Sequence, residues 1–300
     1  MNLLANILEQ LINGLTLGSI YALVALGYTM VYGILLMINF AHSEIFMLGA
    51  FAGCGVLALV PGLPWPLAMA LAFVLAMVAC GFTAITIEKL AYKPLRKAPR
   101  LAPLISAIGV SIVLQNAMFL FHDDFLGFPS VLPLRRIEFG QFAVSSIQLI
   151  ILASSLALMG TLWLFINHTR LGKAIRACSQ DRDAAELMGI PVNRMISLTF
   201  FIGASLGAAA GILYSLYYGS IKYNMGFVPG MKAFTAAVLG GIGNIPGAML
   251  GGLLLGVSES LGTAFLPQAS WKDVFAFAIL IIVLIVRPSG LLGERTAEKV

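Results

Sequence analysis

LINGLTLGSIYALVALGYTMVYGILLMINFAHSEIFMLGAFAGCGVLALV, from Leu11 to Val60, contains one acid, Glu44, and neither lysine nor arginine. A membrane-crossing helix needs about 20 apolar residues, so this run of about fifty is too long for one crossing. It is interrupted at Asn39-Phe-Ala-His-Ser43, and the reading that follows is two helices with a break between them. Pro61-Gly-Leu-Pro-Trp-Pro66 ends the second helix in a turn cluster and places Trp65 at an interface.

The rest of the chain repeats the pattern. Further apolar stretches run over Leu67 to Ile87, Leu104 to Phe121, Ile147 to Ile166, Met195 to Tyr218, Ala233 to Gly262 and Val274 to Val286. Of 300 residues 60% are hydrophobic and 10% charged, against about 25% charged in soluble domains. Backbone polar groups left unpaired in hydrocarbon cost several kcal/mol, so each stretch is expected to be helical or shielded. The expected fold is an all-α integral membrane protein, a polytopic bundle of about seven or eight transmembrane helices with re-entrant half-helices. One membrane domain over residues 1–300 is the simplest division. No basic residue precedes the first apolar run and no small-residue cleavage site follows it, so a cleaved signal peptide is not expected. Cys54 and Cys80 lie in apolar stretches and Cys178 in a polar loop, spacings that suggest neither a disulfide framework nor a metal site.

The net charge of +5 is explained by where the 18 basic residues fall. Lys89, Lys93, Arg96, Lys97 and Arg100 occupy one short loop without an acid. Arg170, Lys173, Arg176, Arg182 and Arg194 occupy residues 167–194, and Arg287, Arg295 and Lys299 the C-terminus. Lysine and arginine in short loops mark the cytoplasmic side. These three segments are therefore expected inside, and residues 122–146, whose two arginines face Asp123, Asp124 and Glu138, outside. No nucleic-acid partner is needed to account for the charge; the partner it implies is the lipid bilayer.

That orientation creates a constraint. With Met195 to Tyr218 running outward and Val274 to Val286 inward, the stretch from Ala233 to Gly262 must enter and leave on one side. Its centre, Gly240-Gly-Ile-Gly-Asn-Ile-Pro-Gly247, does not suit a helix interior, where glycine costs about 1 kcal/mol and proline about 3. A re-entrant pair of half-helices is expected there. Asn39 followed by Met47-Leu-Gly49, and Asn244 followed by Met249-Leu-Gly251, give the two breaks a family likeness at slightly different offsets. Paired interruptions in the two halves of a transporter point to its pathway.

Candidate pathway residues are accordingly Asn39, His42, Ser43, Glu44, Gly243, Asn244 and Pro246. Charged groups in lipid cost roughly 2.5 to 3.5 kcal/mol on insertion scales, so His42, Glu44, Glu88 and Glu259, the ionisable groups inside or near the apolar segments, are expected to face a cavity or protein, with Glu88 beside Lys89 at an interface. His42 and Glu44 are two apart and face different sides of a helix, which disfavours a shared proton; Ser43 and Glu44 suit the start of a helix. Gly203, Gly207 and Gly211 recur every fourth position, a pattern for close helix packing. No G-x-x-x-x-G-K-[ST] occurs, Leu171-Gly-Lys-Ala174 being nearest, so no ATPase site is expected. Three histidines at unrelated spacings offer no metal or triad arrangement, and no cofactor or catalytic residue is expected.

Four motifs carry a resemblance: Leu11-Ile-Asn-Gly-Leu-Thr-Leu-Gly-Ser-Ile-Tyr-Ala-Leu23, Met37-Ile-Asn-Phe-Ala-His-Ser-Glu44, Thr169-Arg-Leu-Gly-Lys-Ala-Ile-Arg176 and Lys232-Ala-Phe-Thr-Ala-Ala-Val-Leu-Gly-Gly-Ile-Gly-Asn-Ile-Pro-Gly247. Along essentially its whole length the chain resembles the LivH-type membrane permeases of branched-chain amino acid ABC importers. Ser43 stands where that family's pattern has glycine. The resemblance implies a multi-pass permease of the bacterial inner membrane. Its partners would be a second, LivM-type permease, two cytoplasmic ABC ATPases and a periplasmic binding protein that delivers a small amino acid. Related permeases carry urea, amides or other amino acids. It also implies that the loop of residues 167–194 is a coupling helix against the ATPase, with Arg170, Gly172, Arg176, Ala185, Glu186 and Gly189 as its residues.

Overall fold

The computed structural model describes residues 3–96, 98–99, 101–133, 135–139, 142–265 and 271–293. Lys97, Arg100, Arg295 and Lys299, counted above among the inward-facing charges, lie outside the described residues. The opening apolar run forms α1 (Leu3–Leu35) and α2 (His42–Leu59), parted at residues 36–41 as its polar interruption predicts. α3 (Trp65–Ile87) starts after the proline cluster, with a proline in its first turn, where a missing N–H has no partner to lose. A π-helical turn, Glu88–Tyr92, extends it.

α4 (Leu101–Phe121) and α5 (Ser146–His168) follow. The arm between them carries β1 (Leu126–Gly127) and a hairpin of β2 (Arg136–Phe139) and β3 (Phe142–Ser145). Two short helices, α6 (Arg170–Gln180) and α7 (Arg182–Leu187), lead into α8 (Val192–Tyr218). β4 (Ser220–Ile221) pairs antiparallel with β1, and α9 (Phe227–Gly240), α10 (Ile245–Phe265) and α11 (Trp271–Val286) follow.

Among the described residues seven helices are long and apolar enough to cross a membrane: α1 to α5, α8 and α10. α9 has 14 residues, about 21 Å at 1.5 Å per residue, short of a hydrocarbon core of about 30 Å. α10 has 21 residues, about 31 Å by the same measure. The glycine-rich break thus separates a short helix from a full-length one. Pro246 and Gly247 fall in the first turn of α10, where their penalties largely vanish, so the apolar run beyond them stays helical.

α1 occupies the middle of the bundle: Ile20, Ala22, Leu23, Ala25 and Leu26 have no exposed surface. It runs antiparallel to α10, with Gly14 and Gly18 set against the backbone at Gly252, Leu253, Gly256 and Val257. A side chain at any of these glycines would meet main chain, so the seam exists because both helices lack them there. α2 runs parallel to α8, Gly49 against Ala208 and Gly53 against Ile212. The Gly203, Gly207, Gly211 repeat forms the other half of this contact, meeting the Gly27 backbone, the His42 ring and the Phe46 carbonyl in turn. α4 is the exception to this close packing: only Pro103 and Ala107 are buried along its 21 residues.

The basic loops collect at one end. Arg96 Nη1 donates to Asn193 Oδ1 at 2.6 Å, which joins the loop after α3 to the start of α8. At the other end, Gln148 Nε2 donates to Asn13 Oδ1 at 2.6 Å, tying the start of α5 to α1. A capping box of Ser145 and Gln148 satisfies the first donors of α5 there.

Candidate functional site

Two helices begin inside the bundle. The first turn of α2 lies beside Gly207 and Gly211, near the middle of α8. After Tyr218 the chain turns back through Gly219, at φ 71°, and descends to start α9 at the same level. There Gly226 rests on the Ser43 carbonyl and Gly230 on the Ser43 side chain. Neither position has room for a Cβ, and this close approach is what sets the two helix starts face to face. The first turns of both helices leave backbone N–H groups without intrahelical acceptors, and those ends carry partial positive charge.

Between them and α4 lies a cavity of about 330 Å³. Its polar lining comes from Tyr28, Ser43, Glu44, Ser111 and Gln115, and its apolar wall from Phe40, Ile108, Ile112, Phe227 and Met231. Glu44 is 1% exposed. Its Oε1 accepts from Ser111 Oγ at 3.2 Å, while Ser43 Oγ lies 3.4 Å from Oε1 and 2.8 Å from the Phe40 carbonyl. Having one proton, Ser43 bonds the nearer carbonyl. Glu44 Oε2 has no partner among the described residues. Ser43 has ordinary helical backbone in α2, so the glycine of the family pattern is not required there by conformation.

Other expected pathway residues fall around this cavity without lining it. His42 packs edge-on to Tyr28, ring centroids 4.9 Å apart, and is enclosed by Gly27, Gly203 and Gly207. Asn39 is buried and its Oδ1 accepts from Tyr92 Oη at 2.6 Å, which ties the first break to the π-helical turn. In the same turn Glu88 pairs with Arg96 and accepts from Ser197 Oγ at 2.8 Å.

Gly243, Asn244 and Pro246 lie elsewhere, beside the segment that follows α11. Asn244 Nδ2 donates to Leu292 O at 2.8 Å, and its Oδ1 caps α10 through Gly247 N at 2.9 Å. Gly241, at φ 107°, and Gly243, at φ 96°, make the turn that no other residue adopts without strain. The two breaks still meet: Ile38 from one and Ile242 from the other line a small crevice with Tyr28, Tyr32 and Phe234.

At the basic end, Thr169 Oγ1 accepts from Gly172 N at 3.0 Å to cap α6, and Asp181 Oδ1 accepts from Asp183 N and Ala184 N, each at 3.0 Å, to cap α7. Of the expected coupling residues, Arg170, Arg176, Glu186 and Gly189 are exposed, whereas Gly172 and Ala185 are buried. Gly172 abuts the carbonyls of Phe165 and Ile166, and the Ala185 carbonyl accepts from Ile190 N at 3.0 Å, so these two shape the elbow from within. Gly189, at φ 81°, turns the chain back. Leu187 and Met188 project from the elbow at 88% and 82% exposure. Burial and the neighbouring Arg96 guanidinium push Arg182 below its ordinary pKa.

Sequence reasoning missed Leu187 and Met188, whose apolar pair before Gly189 was a readable signal. It also missed Lys232. That side chain is 3% exposed; Nζ lies 2.7 Å from Glu259 Oε1 and 2.6 Å from Asp273 Oδ1, binding α9 to α10 and α11. Nζ also lies 5.9 Å from the Tyr21 ring centroid. A lysine set between Gly230-Met and Ala-Phe-Thr was as visible as Glu259.

A family model described as "branched-chain amino acid transport system / permease component" matches residues 10–284. The chain is 49% identical to the Pseudomonas aeruginosa protein named high-affinity branched-chain amino acid transport system permease protein BraD, over 98% of each chain. It is 46% identical to the Escherichia coli protein named high-affinity branched-chain amino acid transport system permease protein LivH, over 98% of this chain and 97% of that one. A Methanocaldococcus jannaschii protein named probable branched-chain amino acid transport permease protein LivH is 25% identical, over 92% of this chain and 89% of its own.

Proposed function

The chain belongs to the branched-chain amino acid transport permease family, and from that premise we propose that it is the membrane-spanning permease of a bacterial ABC importer. It is a multi-pass membrane protein with a transport role; in this reading its membrane is the bacterial inner membrane and its substrates are branched-chain amino acids. A periplasmic binding protein delivers them, a LivM-type permease completes the membrane unit, and two cytoplasmic ATPases supply the energy. The observation that carries the reading is a 49% identity sustained over 98% of the chain to a protein of that name.

Residues 1–300 act as one permease domain, with residues 167–194 as the coupling loop. The exposed elbow of α6 and α7 seats on the ATPase through Leu187, Met188 and the charges of Arg170, Arg176 and Glu186. A push there has a connected route inward. Asn193, at the start of α8, holds Arg96; Arg96 pairs with Glu88; and Tyr92, in the same π-helical turn, holds Asn39 just before α2. π-helical turns are irregularities that recur at functional sites. Movement along this route displaces the first turn of α2, and with it Ser43 and Glu44 at the cavity. His42 braces that turn, while Gly243, Asn244 and Pro246 form the hinge at the inner mouth. Two packings close in energy suffice for such a switch.

The test is reconstitution of the four kinds of subunit in proteoliposomes with labelled leucine. Uptake is expected only with ATP, both ATPases and the loaded binding protein. Uptake by this chain alone under an ion gradient, without ATPases, would overturn the proposal.

A further inference from the structure

Glu44 presents a chemical question that its own surroundings leave open. A carboxylate 1% exposed in a membrane-spanning bundle requires compensation, and one of its two oxygens has none from the protein. Lys232 is committed to Glu259 and Asp273, on the far side of α9. His42, the other cationic candidate in α2, is enclosed by Gly27, Gly203 and Gly207, facing α1 and α8. Glu44 borders the cavity, where among the described residues no basic side chain is found, and its Oε2 lies buried beside Gly226.

Resting on the transport reading above, we infer that Glu44 is the counter-ion for the α-ammonium of the amino acid as it passes through the cavity. The remaining features fit the rest of such a molecule. Beside Gly226, the first turn of α9 offers the N–H groups of Phe227 and Val228, which have no intrahelical acceptor, while Pro229 contributes none. These are donors for the substrate carboxylate, next in the chain to Gly226, which packs beside Glu44 Oε2. Ile108, Ile112, Phe227 and Met231 then face the aliphatic side chain. Ser111 steadies Oε1, and a turn of the carboxylate away from Gly226 brings the unpartnered Oε2 to the ligand. The zwitterion is held at both charges by groups of one chain, and an uncharged or purely anionic molecule of the same shape leaves Oε2 unpaired.

The test uses the assembled complex with Gln115→Cys, a cavity position, as a labelling site. In the absence of binding protein, 3-methylbutylamine, the cation bearing leucine's side chain, should slow thiol labelling severalfold, and 4-methylpentanoate should not. Adding Glu44→Gln should abolish the amine's protection. Equal protection by both compounds, or protection that survives Glu44→Gln, overturns the inference. In uptake assays Glu44→Gln should lose at least tenfold and Glu44→Asp less, at equal amounts of assembled complex. Wild-type uptake by Glu44→Gln also overturns it. Should Glu44→Gln fail to assemble, the contrast between amine and acid in Gln115→Cys alone decides. A wild-type complex that takes up no amino acid, yet shows amine-specific protection, removes the transport reading and leaves the cation site standing.

Discussion

Lys232 has apolar neighbours along the chain and two carboxylates around it in space. Breaking a buried pair by removing one partner costs about 3 to 5 kcal/mol, because the other charge is left uncompensated. Lys232→Ala should therefore lower the thermal midpoint of the purified protein by several degrees, and Lys232→Met with Glu259→Met should recover most of the loss, leaving the half-exposed Asp273 solvated. A single variant as stable as wild type would show that the cluster contributes nothing. Cys178 supplies a second residue-level expectation. Burial pushes its thiol above the usual range, with Arg182 only partly offsetting this. The reactive thiolate is then scarce near neutral pH. Alkylation of Cys178 in the folded protein should be slower than in the unfolded chain and should rise only at more alkaline pH than for a free cysteine. Equal rates at neutral pH would contradict it. Glu44 was legible in the sequence as an intramembrane charge; the orphaned oxygen was not, because it depends on Ser111 and Gly226, which are distant in the chain.

Among the elements, the α6–α7 elbow makes the most exposed demand for a partner. Leu187→Asp with Met188→Asp should reduce ATPase copurification at least tenfold while leaving membrane insertion and the second permease in place; undiminished copurification would count against docking at the elbow. The start of α2 could be read from the polar interruption ahead of it, and the elbow from its capping residues Thr169 and Asp181. The depth of α9 could not. Ala233 to Gly262 reads as a re-entrant pair of half-helices, yet only α9 is short, because glycine and proline mark where a helix ends but not which side of the break is long. The descent from Gly219 to Gly226 contains no strong apolar signal, and it is this descent that brings the first turn of α9 to Glu44. The π-helical turn was likewise hidden, since Glu88–Tyr92 differs from α-helix only in its bonding.

For the molecule as a whole, the number of long apolar helices and the gathering of basic loops at one end followed from hydropathy and charge. The order of contacts did not: the pairing of α1 with α10 rests on Gly14 and Gly18 meeting Gly252 and Gly256, residues more than two hundred positions apart. The two interruptions were read as twin borders of one conduit. The structure brings them together at Ile38 and Ile242 but gives the cavity to the first and the post-α11 contact to the second. One further property follows from α4, which buries little more than Pro103 and Ala107 against its own chain yet furnishes Ile108, Ser111, Ile112 and Gln115 to the chamber. A wall so lightly fastened takes its position from whatever presses on its outer face. In the transport reading proposed above, the width of the chamber, and so the bulk of side chain it admits, is set jointly by this polypeptide and the permease beside it.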